Sequence, residues 1–286
     1  MKLIKYFFQF FFIIFLFIIF KLIGLRLSRI MASKLFSIIG PFFRSKKIIK
    51  KNISLAFFNS DEIFKRNITN NMWKYYGKIF AEYCFMKKFR KNKSEKFLKI
   101  KGQEILDEIK FSSDPVIFVS GHFDNFELMA MHIEKSGVNL AAIYRPLNNI
   151  FLNPIMENLR KKYICKKQIK KGISGTKEIL KHFKSNTSVA LMIDQRVSQG
   201  VGSLFFKKEA LTTTIPAQFV KKFNCKIVPI YIERIKNDNF ILEIMKPLSF
   251  DDDNSITDIT NKLNQLLEKM ILRNPNQWIW SHNRWK

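Results

Sequence analysis

The sequence predicts an α/β fold, in which a mostly parallel sheet is flanked by helices and follows an N-terminal transmembrane or membrane-anchoring helix. The first observation behind this prediction is that short apolar or β-branched runs alternate with helix-like patterns from residue 116 onwards. The second is a long apolar stretch near the N-terminus. With 286 residues and 47% apolar content, the chain is long enough to bury a large core.

Five runs are typical of buried strands, and the segments between them are typical of helices, several of which begin after Asn, Ser, Thr or Asp caps. The strands are expected at 116–120, 140–144, 189–194, 226–233 and 240–245, and the helices at roughly 124–136, 149–162, 174–185, 212–223 and 256–272. This alternation favours a largely parallel sheet, whose ligands gather at the carboxyl ends of the strands.

The N-terminal segment is apolar from Tyr6 to Phe20 except at Gln9. With the Lys21 side chain snorkelling, it extends to Leu25 and is long enough to span a bilayer. A cleaved signal peptide fits less well, because the apolar run is long and no clear cleavage site follows it. Two lysines precede the segment and nine basic residues follow it before residue 52, so the positive-inside rule predicts a cytoplasmic body.

Three regions are therefore expected in this chain. Residues 1–25 form an N-terminal membrane anchor helix, residues 26–100 form a basic, membrane-proximal helical lead-in, and residues 101–286 form the α/β catalytic core. Residues 27–43 alternate basic and apolar positions, which suits either the membrane interface beside anionic lipids or ordinary core packing.

The formal net charge of +27 suggests an anionic partner, which can be a membrane surface, an acidic substrate or nucleic acid. A lysine-rich compositional bias explains the same charge. A membrane-tethered nucleic-acid-binding protein is thus the alternative from a different class, although no helix-turn-helix, zinc-finger or RNP-like pattern accompanies the charge. The three widely spaced cysteines favour neither a disulfide framework nor a zinc site.

The segment from Ser120 to Glu127 (SGHFDNFE) contains the candidate catalytic residues His122 and Glu127. Two residues five apart on one helix would point in different directions, so the pair can meet only if a turn precedes the helix. Gly121 permits that turn, and Asp124 can cap a helix that carries Glu127. Glu127 could then accept one imidazole N–H of His122, leaving the other ring nitrogen to act as a general base.

Other interpretations of the same segment are weaker. A metal site at His122, Asp124 and Glu127 lacks the H-E-x-x-H pattern, and a Ser120 nucleophile lacks the G-x-S-x-G elbow. The remaining histidines, which are His132, His182 and His282, lack this strand–turn–helix context and are interpreted as structural.

The block from Ser120 to Glu127 resembles the H-x4-[D/E] motif of the lysophospholipid acyltransferase superfamily, in the form found in the lipid A biosynthesis late acyltransferases (lauroyl and myristoyl acyltransferases). Three later blocks resemble that family in the same order. These are 143–149 (IYRPLNN), 192–195 (MIDQ) with Phe205-Phe206 and 212–214 (TTT), and the tail 275–286 (PNQWIWSHNRWK). Lys207-Lys208 departs from the family pattern, which often has a small residue such as Gly there.

The resemblance implies acyl transfer from an acyl-carrier-protein thioester to a hydroxyl of a lipid A precursor, by direct attack, with His122 as base and Glu127 as its partner. It also implies that Arg145, Arg160, Asp194 and Gln195 bind substrate, and that the enzyme needs no metal or other cofactor. Arg145 and Arg160 would hold an acceptor phosphate or the developing oxyanion, for which a planar guanidinium is suited. Asp194 would organise those arginines or position the donor, unless it is only a turn carboxylate.

The resemblance places the protein at the cytoplasmic face of a bacterial inner membrane, in lipopolysaccharide biosynthesis. The expected partners are the acyl-carrier protein, the glycolipid acceptor and anionic phospholipid, with no nucleic acid. A related acyltransferase that acts on a lysophospholipid, glycerol phosphate or another glycolipid would use the same chemistry, so the acceptor stays open.

Overall fold

The computed structural model describes residues 2–91 and 97–286. The helices are α1 Lys2–Phe43, α2 Lys46–Ala56, α3 Glu62–Glu82, α4 Met86–Lys91, α5 Gln103–Ser112, α6 Glu127–Lys135, α7 Leu152–Tyr163, α8 Ile173–Lys184, α9 Ile215–Phe223 and α10 Ile256–Arg273. The strands are β1 Leu98–Lys101, β2 Ile117–Ser120, β3 Leu140–Tyr144, β4 Lys167–Lys170, β5 Ser188–Met192, β6 Val201–Phe205, β7 Lys208–Thr212, β8 Ile227–Arg234 and β9 Phe240–Ile244. Short 3₁₀ turns lie at Tyr83–Phe85, Lys236–Asp238 and Pro275–Gln277.

The main sheet has seven strands in the order β1-β9-β8-β2-β5-β3-β4. Strands β8, β2, β5, β3 and β4 are mutually parallel, whereas β9 pairs antiparallel with β8 and is parallel to β1. The central strand β2 (IFVS) is buried along its whole length, as expected for a parallel strand that helices cover on both faces. The predicted α/β class with a mostly parallel sheet is confirmed.

Both edge strands, β1 and β4, went unpredicted because they are short and rich in lysine. Their sequences, LKIK and KQIK, bury only alternate positions or fewer, so no continuous apolar run marks them. The five predicted strands and the five predicted helices all form, with ends that shift by at most three residues.

A separate two-stranded antiparallel hairpin joins β6 to β7 through Phe206 and Lys207. Both turn residues have positive φ, at 50° and 60°. This is the geometry of a two-residue hairpin turn that normally favours Gly or Asn, so the lysine here is an exception to the usual turn chemistry.

The first helix is long and apolar enough to cross a membrane, which makes it a candidate membrane anchor. It bends at Gly24, whose backbone (φ 78°, ψ 169°) is not helical. Phe20 before the bend and Phe36 after it both contact the Phe80 ring of α3, with centroid distances of 6.0 and 5.2 Å. The bend lies next to the predicted end of the anchor at residue 25, while the three regional boundaries themselves stay a prediction.

The C-terminal tail packs across the end of the sheet instead of forming a surface patch. Trp278 and Trp280 are almost fully buried and their rings meet edge to face at 4.6 Å. The Asn52 amide of α2 donates to the Trp280 carbonyl oxygen at 2.8 Å. These two tryptophans are therefore part of the core.

Candidate active site

His122 lies just beyond the carboxyl end of the central strand β2, with its side chain 20% exposed. Gly121 allows close packing at this turn, since a Cβ there would lie 3.2 Å from an Asp194 carboxylate oxygen and 3.0 Å from the Leu267 side chain and would push them apart slightly. The imidazole ring packs edge to face on Phe126, with the centroids 4.8 Å apart. The turn thus presents one polar ring at the edge of the sheet where ligands of parallel sheets bind.

Asp194 is the hydrogen-bond partner of His122. One carboxylate oxygen lies 2.8 Å from His122 Nδ1, and the other accepts the His122 backbone N–H at 2.7 Å and the Trp278 indole N–H at 2.9 Å. Burial alone would raise the pKa of Asp194, but His122 and these donors outweigh it and lower the pKa below its usual value. An ionised Asp194 favours the tautomer with the proton on Nδ1, which leaves Nε2 as a proton acceptor.

Glu127 takes a different position from the one expected. Among the described residues, its carboxylate accepts hydrogen bonds from Arg160 (2.9 and 2.7 Å) and from the Tyr83 hydroxyl (2.8 Å). Glu127 was expected to accept an imidazole N–H of His122, but the partner of His122 Nδ1 is Asp194. The reason is topological, because β2 and β5 are neighbours with Ser120 opposite Met192, which brings both strand ends together.

Arg160 stacks near the Tyr144 ring while it binds Glu127. Its guanidinium carbon lies 5.6 Å from the ring centroid. Burial opposes the charge of Arg160, but Glu127 more than offsets this and raises the pKa of the guanidinium. Burial, together with the Glu127 charge, raises the pKa of Tyr83 as well, so its hydroxyl stays protonated and donates to Glu127.

Asp124 does not cap helix α6, in contrast to the expectation. It has φ 31°, and its carboxylate binds the Arg234 guanidinium at 3.0 and 2.6 Å. Arg234 also binds Glu82 of α3 at 2.6 Å, and Glu82 accepts the Arg29 Nε–H of α1 at 2.6 Å. A buried ionic network therefore supports the backbone two residues beyond His122 and reaches the first helix.

A small cleft of about 20 Å³, room for roughly one water molecule, opens beside His122, between α3 and the C-terminal tail. Its walls are mostly apolar or aromatic, and they include Met72, Tyr76, Ile79, Phe126 and Trp278. Walls of this kind favour contact with an apolar part of a substrate over a charged one.

Arg145 and Lys171 extend the cationic edge of the site. Arg145 follows β3 and is exposed, and the Lys171 backbone N–H of the neighbouring strand end donates to the Tyr144 carbonyl oxygen at 2.8 Å. Burial lowers the pKa of Lys171, and the Arg145 charge lowers it further. Gln195, partly buried, follows Asp194 directly at the end of β5.

The tail residue His282 also lies near the site, although sequence reasoning assigned it a structural role. Its Nε2 accepts the Arg196 backbone N–H at 3.0 Å. Burial lowers the pKa of His282 to about 4, so at neutral pH the ring is an uncharged acceptor. Arg284 is buried as well and donates to the Leu211 carbonyl oxygen at 2.6 Å. These contacts of His282 and Arg284 hold the tail against the sheet domain and agree with a structural role for His282.

A sequence model of the family described as bacterial lipid A biosynthesis acyltransferase matches residues 1–286. The chain belongs to this family. A lipid A biosynthesis acyltransferase of Haemophilus influenzae is 25% identical over 255 residues, which cover 88% of this chain and 81% of that protein. Lipid A biosynthesis acyltransferase 2 of Shigella flexneri is 22% identical over 238 residues, which cover 80% of this chain and 74% of that protein.

Family membership identifies the chain as an acyltransferase and supports a role in lipid A synthesis. The alternative of a nucleic-acid-binding protein loses its basis, since the positive charge now accompanies an enzyme family with lipid substrates. Sequence reasoning did not identify Tyr83 or Trp278 as members of the site. Trp278 belonged to the recognised tail block, but no pattern near Tyr83 indicates its contact with Glu127.

Proposed function

We propose that the protein transfers a fatty acyl chain from an acyl-carrier-protein thioester to a hydroxyl group of a lipid A precursor. The observation that carries this proposal is the pairing of His122 with the buried Asp194, beside a small cleft with mostly apolar walls, in a chain of this family. In this reaction His122 is the general base and Asp194 orients its ring.

The proposed step is direct attack. Nε2 of His122 removes the proton of the acceptor hydroxyl while the hydroxyl oxygen bonds to the thioester carbonyl carbon. Collapse of the tetrahedral intermediate breaks the carbon–sulfur bond, and the imidazolium returns its proton to the departing sulfur. The products are an ester and a free carrier thiol, His122 is neutral again, and no acyl-enzyme forms.

Glu127 keeps a place in the proposed site as the anion that holds Arg160. The two guanidinium bonds to Glu127 fix the direction of Arg160, whose remaining donor capacity can stabilise an oxyanion or an acceptor phosphate. Arg145, which lies beside Lys171 and is more exposed than Arg160, is proposed to bind an acceptor phosphate. Gln195 is proposed to bind substrate beside Asp194.

The proposed location is the cytoplasmic face of a bacterial inner membrane, with the acyl-carrier protein as donor and anionic phospholipid around the anchor. The apolar first helix and the basic residues that follow it support this arrangement.

Mass spectrometry of lipid A and phospholipids from cells with and without the gene tests this function. We expect lipid A to lose one acyl chain when the gene is absent, and the wild-type gene to restore it. A gene encoding His122→Ala should not restore the chain, whereas His182→Ala, a histidine of α8 outside the site, should. Unchanged lipid A with altered phospholipids would instead assign the enzyme to a lysophospholipid or glycerol phosphate acceptor.

A further inference from the structure

The part of α1 beyond Gly24 has two opposite faces. Ser28, Arg29 and Ala32 are buried against the rest of the protein. On the other side, Leu27, Ile30, Ile38 and Phe42 are exposed, and these four residues are called the outer stripe. At about 100° per residue they fall within an arc of roughly 120° that is centred opposite the buried face. This outward face is apolar apart from the exposed Lys34, which is the reverse of what burial in a core requires.

A second group of exposed apolar side chains continues the outer stripe where α1, α2 and α3 meet. Phe43 at the end of α1, Phe58 after α2 and Ile63 in the first turn of α3 are called the apolar tip. Each is at least 68% exposed, and Phe58 reaches 85%. Several strongly exposed aromatic and aliphatic side chains at neighbouring helix ends point to an interaction site.

Contacts of two lysines of α2 lie between the stripe and the tip. The Lys46 ammonium lies 5.7 Å from the Phe42 ring centroid, and Lys50, one turn further along α2, binds Glu62 at 3.0 Å. Glu62 directly precedes Ile63 of the tip. Stripe and tip therefore form one surface that spans three helices.

The rim of this surface is strongly cationic. Residues 42–66 contain seven Lys or Arg and two acids, and one of those acids, Glu62, is already paired with Lys50. Lys46, Lys47 and Lys50 of α2 are exposed because Ile49, Asn52 and Ile53 form its buried face, whereas Lys51 donates to the Trp285 carbonyl oxygen at 3.3 Å. Apolar side chains surrounded by basic ones match the acyl chains and anionic head groups of a bilayer surface.

The same surface is continuous with the candidate membrane anchor. Leu27 lies three residues beyond the Gly24 bend, and before the bend Phe15, Ile18 and Leu22 are also exposed. We propose that the outer stripe and the apolar tip are a second membrane contact, which lies in the interface of a bilayer that contains anionic lipid. This proposal concerns binding and does not depend on which acceptor the enzyme uses.

The contact would hold the active site at the membrane surface. The inner face of α2 binds the C-terminal tail, since Asn52 donates to the carbonyl oxygens of Trp280 and His282. The tail in turn holds Asp194 through Trp278. A bilayer bound to the outer side of α2 is thus separated from the catalytic pair by one helix and the tail.

A fluorescent label at position 58 tests the proposal in the full-length protein. The three native cysteines are replaced by alanine, Phe58→Cys is labelled with an environment-sensitive dye, and the protein is reconstituted into phosphatidylcholine bilayers with and without phosphatidylglycerol. The control is Phe111→Cys, because Phe111 is 83% exposed and ends α5 just before the amino end of β2, at the opposite edge of the sheet from His122.

We expect the label at position 58 to shift to the blue and to be quenched by nitroxide lipids, more strongly when phosphatidylglycerol is present. The label at position 111 should show neither effect. Equal, water-like emission at both positions would overturn the proposal. A shift at position 58 that appears only when an acidic carrier protein is added would also overturn it, because the surface would then be a protein-docking site.

An activity measurement links the contact to the enzyme separately. The double substitution Phe42→Asp and Phe58→Asp should lower acyl transfer to bilayer-embedded acceptor several-fold and leave transfer to detergent-dispersed acceptor unchanged, whereas Phe111→Asp should change neither rate. Equal losses in both assays would contradict the membrane role. If no acyl transfer is detected even for the wild type, the proposed function fails while the label measurement still decides the contact.

Discussion

At the scale of single residues, the catalytic proposal depends on the hydrogen bond between His122 Nδ1 and Asp194. The Asp194 carboxylate is buried and accepts three hydrogen bonds from His122 and Trp278. Its negative charge both fixes the imidazole tautomer and stabilises the imidazolium that forms when the hydroxyl is deprotonated. Neither effect survives if the carboxylate becomes an amide of the same shape.

Asp194→Asn should therefore lower kcat by about 10²-fold or more with little change in KM. Glu127→Gln should act differently and mainly raise KM, since Glu127 holds Arg160 and not the Nδ1 atom of His122. Steady-state kinetics would distinguish the roles of the two residues. The measurement uses purified variants whose circular dichroism matches that of the wild type. A larger loss of kcat in Glu127→Gln than in Asp194→Asn would restore Glu127 as the partner of His122.

His122 and Asp194 could each be selected from the sequence, because each follows an apolar run that is typical of a buried strand. Their contact could not be predicted, since it depends on β5 lying beside β2 although helices α6, α7 and α8 separate them along the chain. Glu127, five residues after His122, was assigned the role that the sheet order gives to Asp194.

At the scale of secondary-structure elements, the β6–β7 turn shows a local conflict between residue type and backbone. Lys207 has φ 60°, a conformation that costs a residue with a Cβ about 1–2 kcal/mol. Glycine would remove this cost but lose more backbone entropy on folding. The Lys207 side chain is exposed, so replacing it removes no core packing.

Lys207→Gly should therefore stabilise the protein by about 0.5–1 kcal/mol, which raises Tm by roughly 1–4 °C. The matched control is Lys208→Gly, because Lys208 is the adjacent, equally exposed residue but lies in β7, where glycine weakens a strand. Thermal unfolding in detergent, followed by tryptophan fluorescence, measures both. A lower Tm for Lys207→Gly than for the wild type would contradict the strain argument.

Elements with a continuous apolar run were predictable, whereas elements defined by their partners were not. The central strands β2, β3 and β5 carry such runs, but β1 and β4 each contain two lysines among four residues and are strands because β9 and β3 present open edges to them. Asp124 had the residue type and position of a helix cap, yet its carboxylate is used by Arg234 from β8. Long-range partners decided each of these cases.

At the scale of the whole molecule, a buried ionic network joins the first helix to the catalytic turn. Glu82 is fully buried and binds both Arg29 of α1 and Arg234 of β8, and Arg234 binds Asp124 beside His122. Burial acts to raise the pKa of Glu82, but the two arginines outweigh it and the pKa is lowered. Removing one charge from such a cluster leaves the others buried without compensation.

Glu82→Gln should destabilise the folded protein by about 3–5 kcal/mol, because Arg29 and Arg234 would both lose their shared carboxylate. The control is Glu62→Gln, which breaks the solvent-exposed pair with Lys50 and should change stability little. Denaturant unfolding of both variants in the same detergent compares them. Similar midpoints for the two variants would show that the network does not contribute to stability.

The Gly24 bend also has a consequence for the choice of substrate. Its side-chain-free backbone joins the two halves of α1 at a fixed angle, and both halves pack on the same Phe80 ring. With the proposed contacts on either side of this bend, the height of His122 above the bilayer midplane is set by geometry and not by a flexible tether. The enzyme would then select an acceptor hydroxyl by its depth in the membrane as well as by its chemistry, so a bilayer of altered thickness should change which positions are acylated.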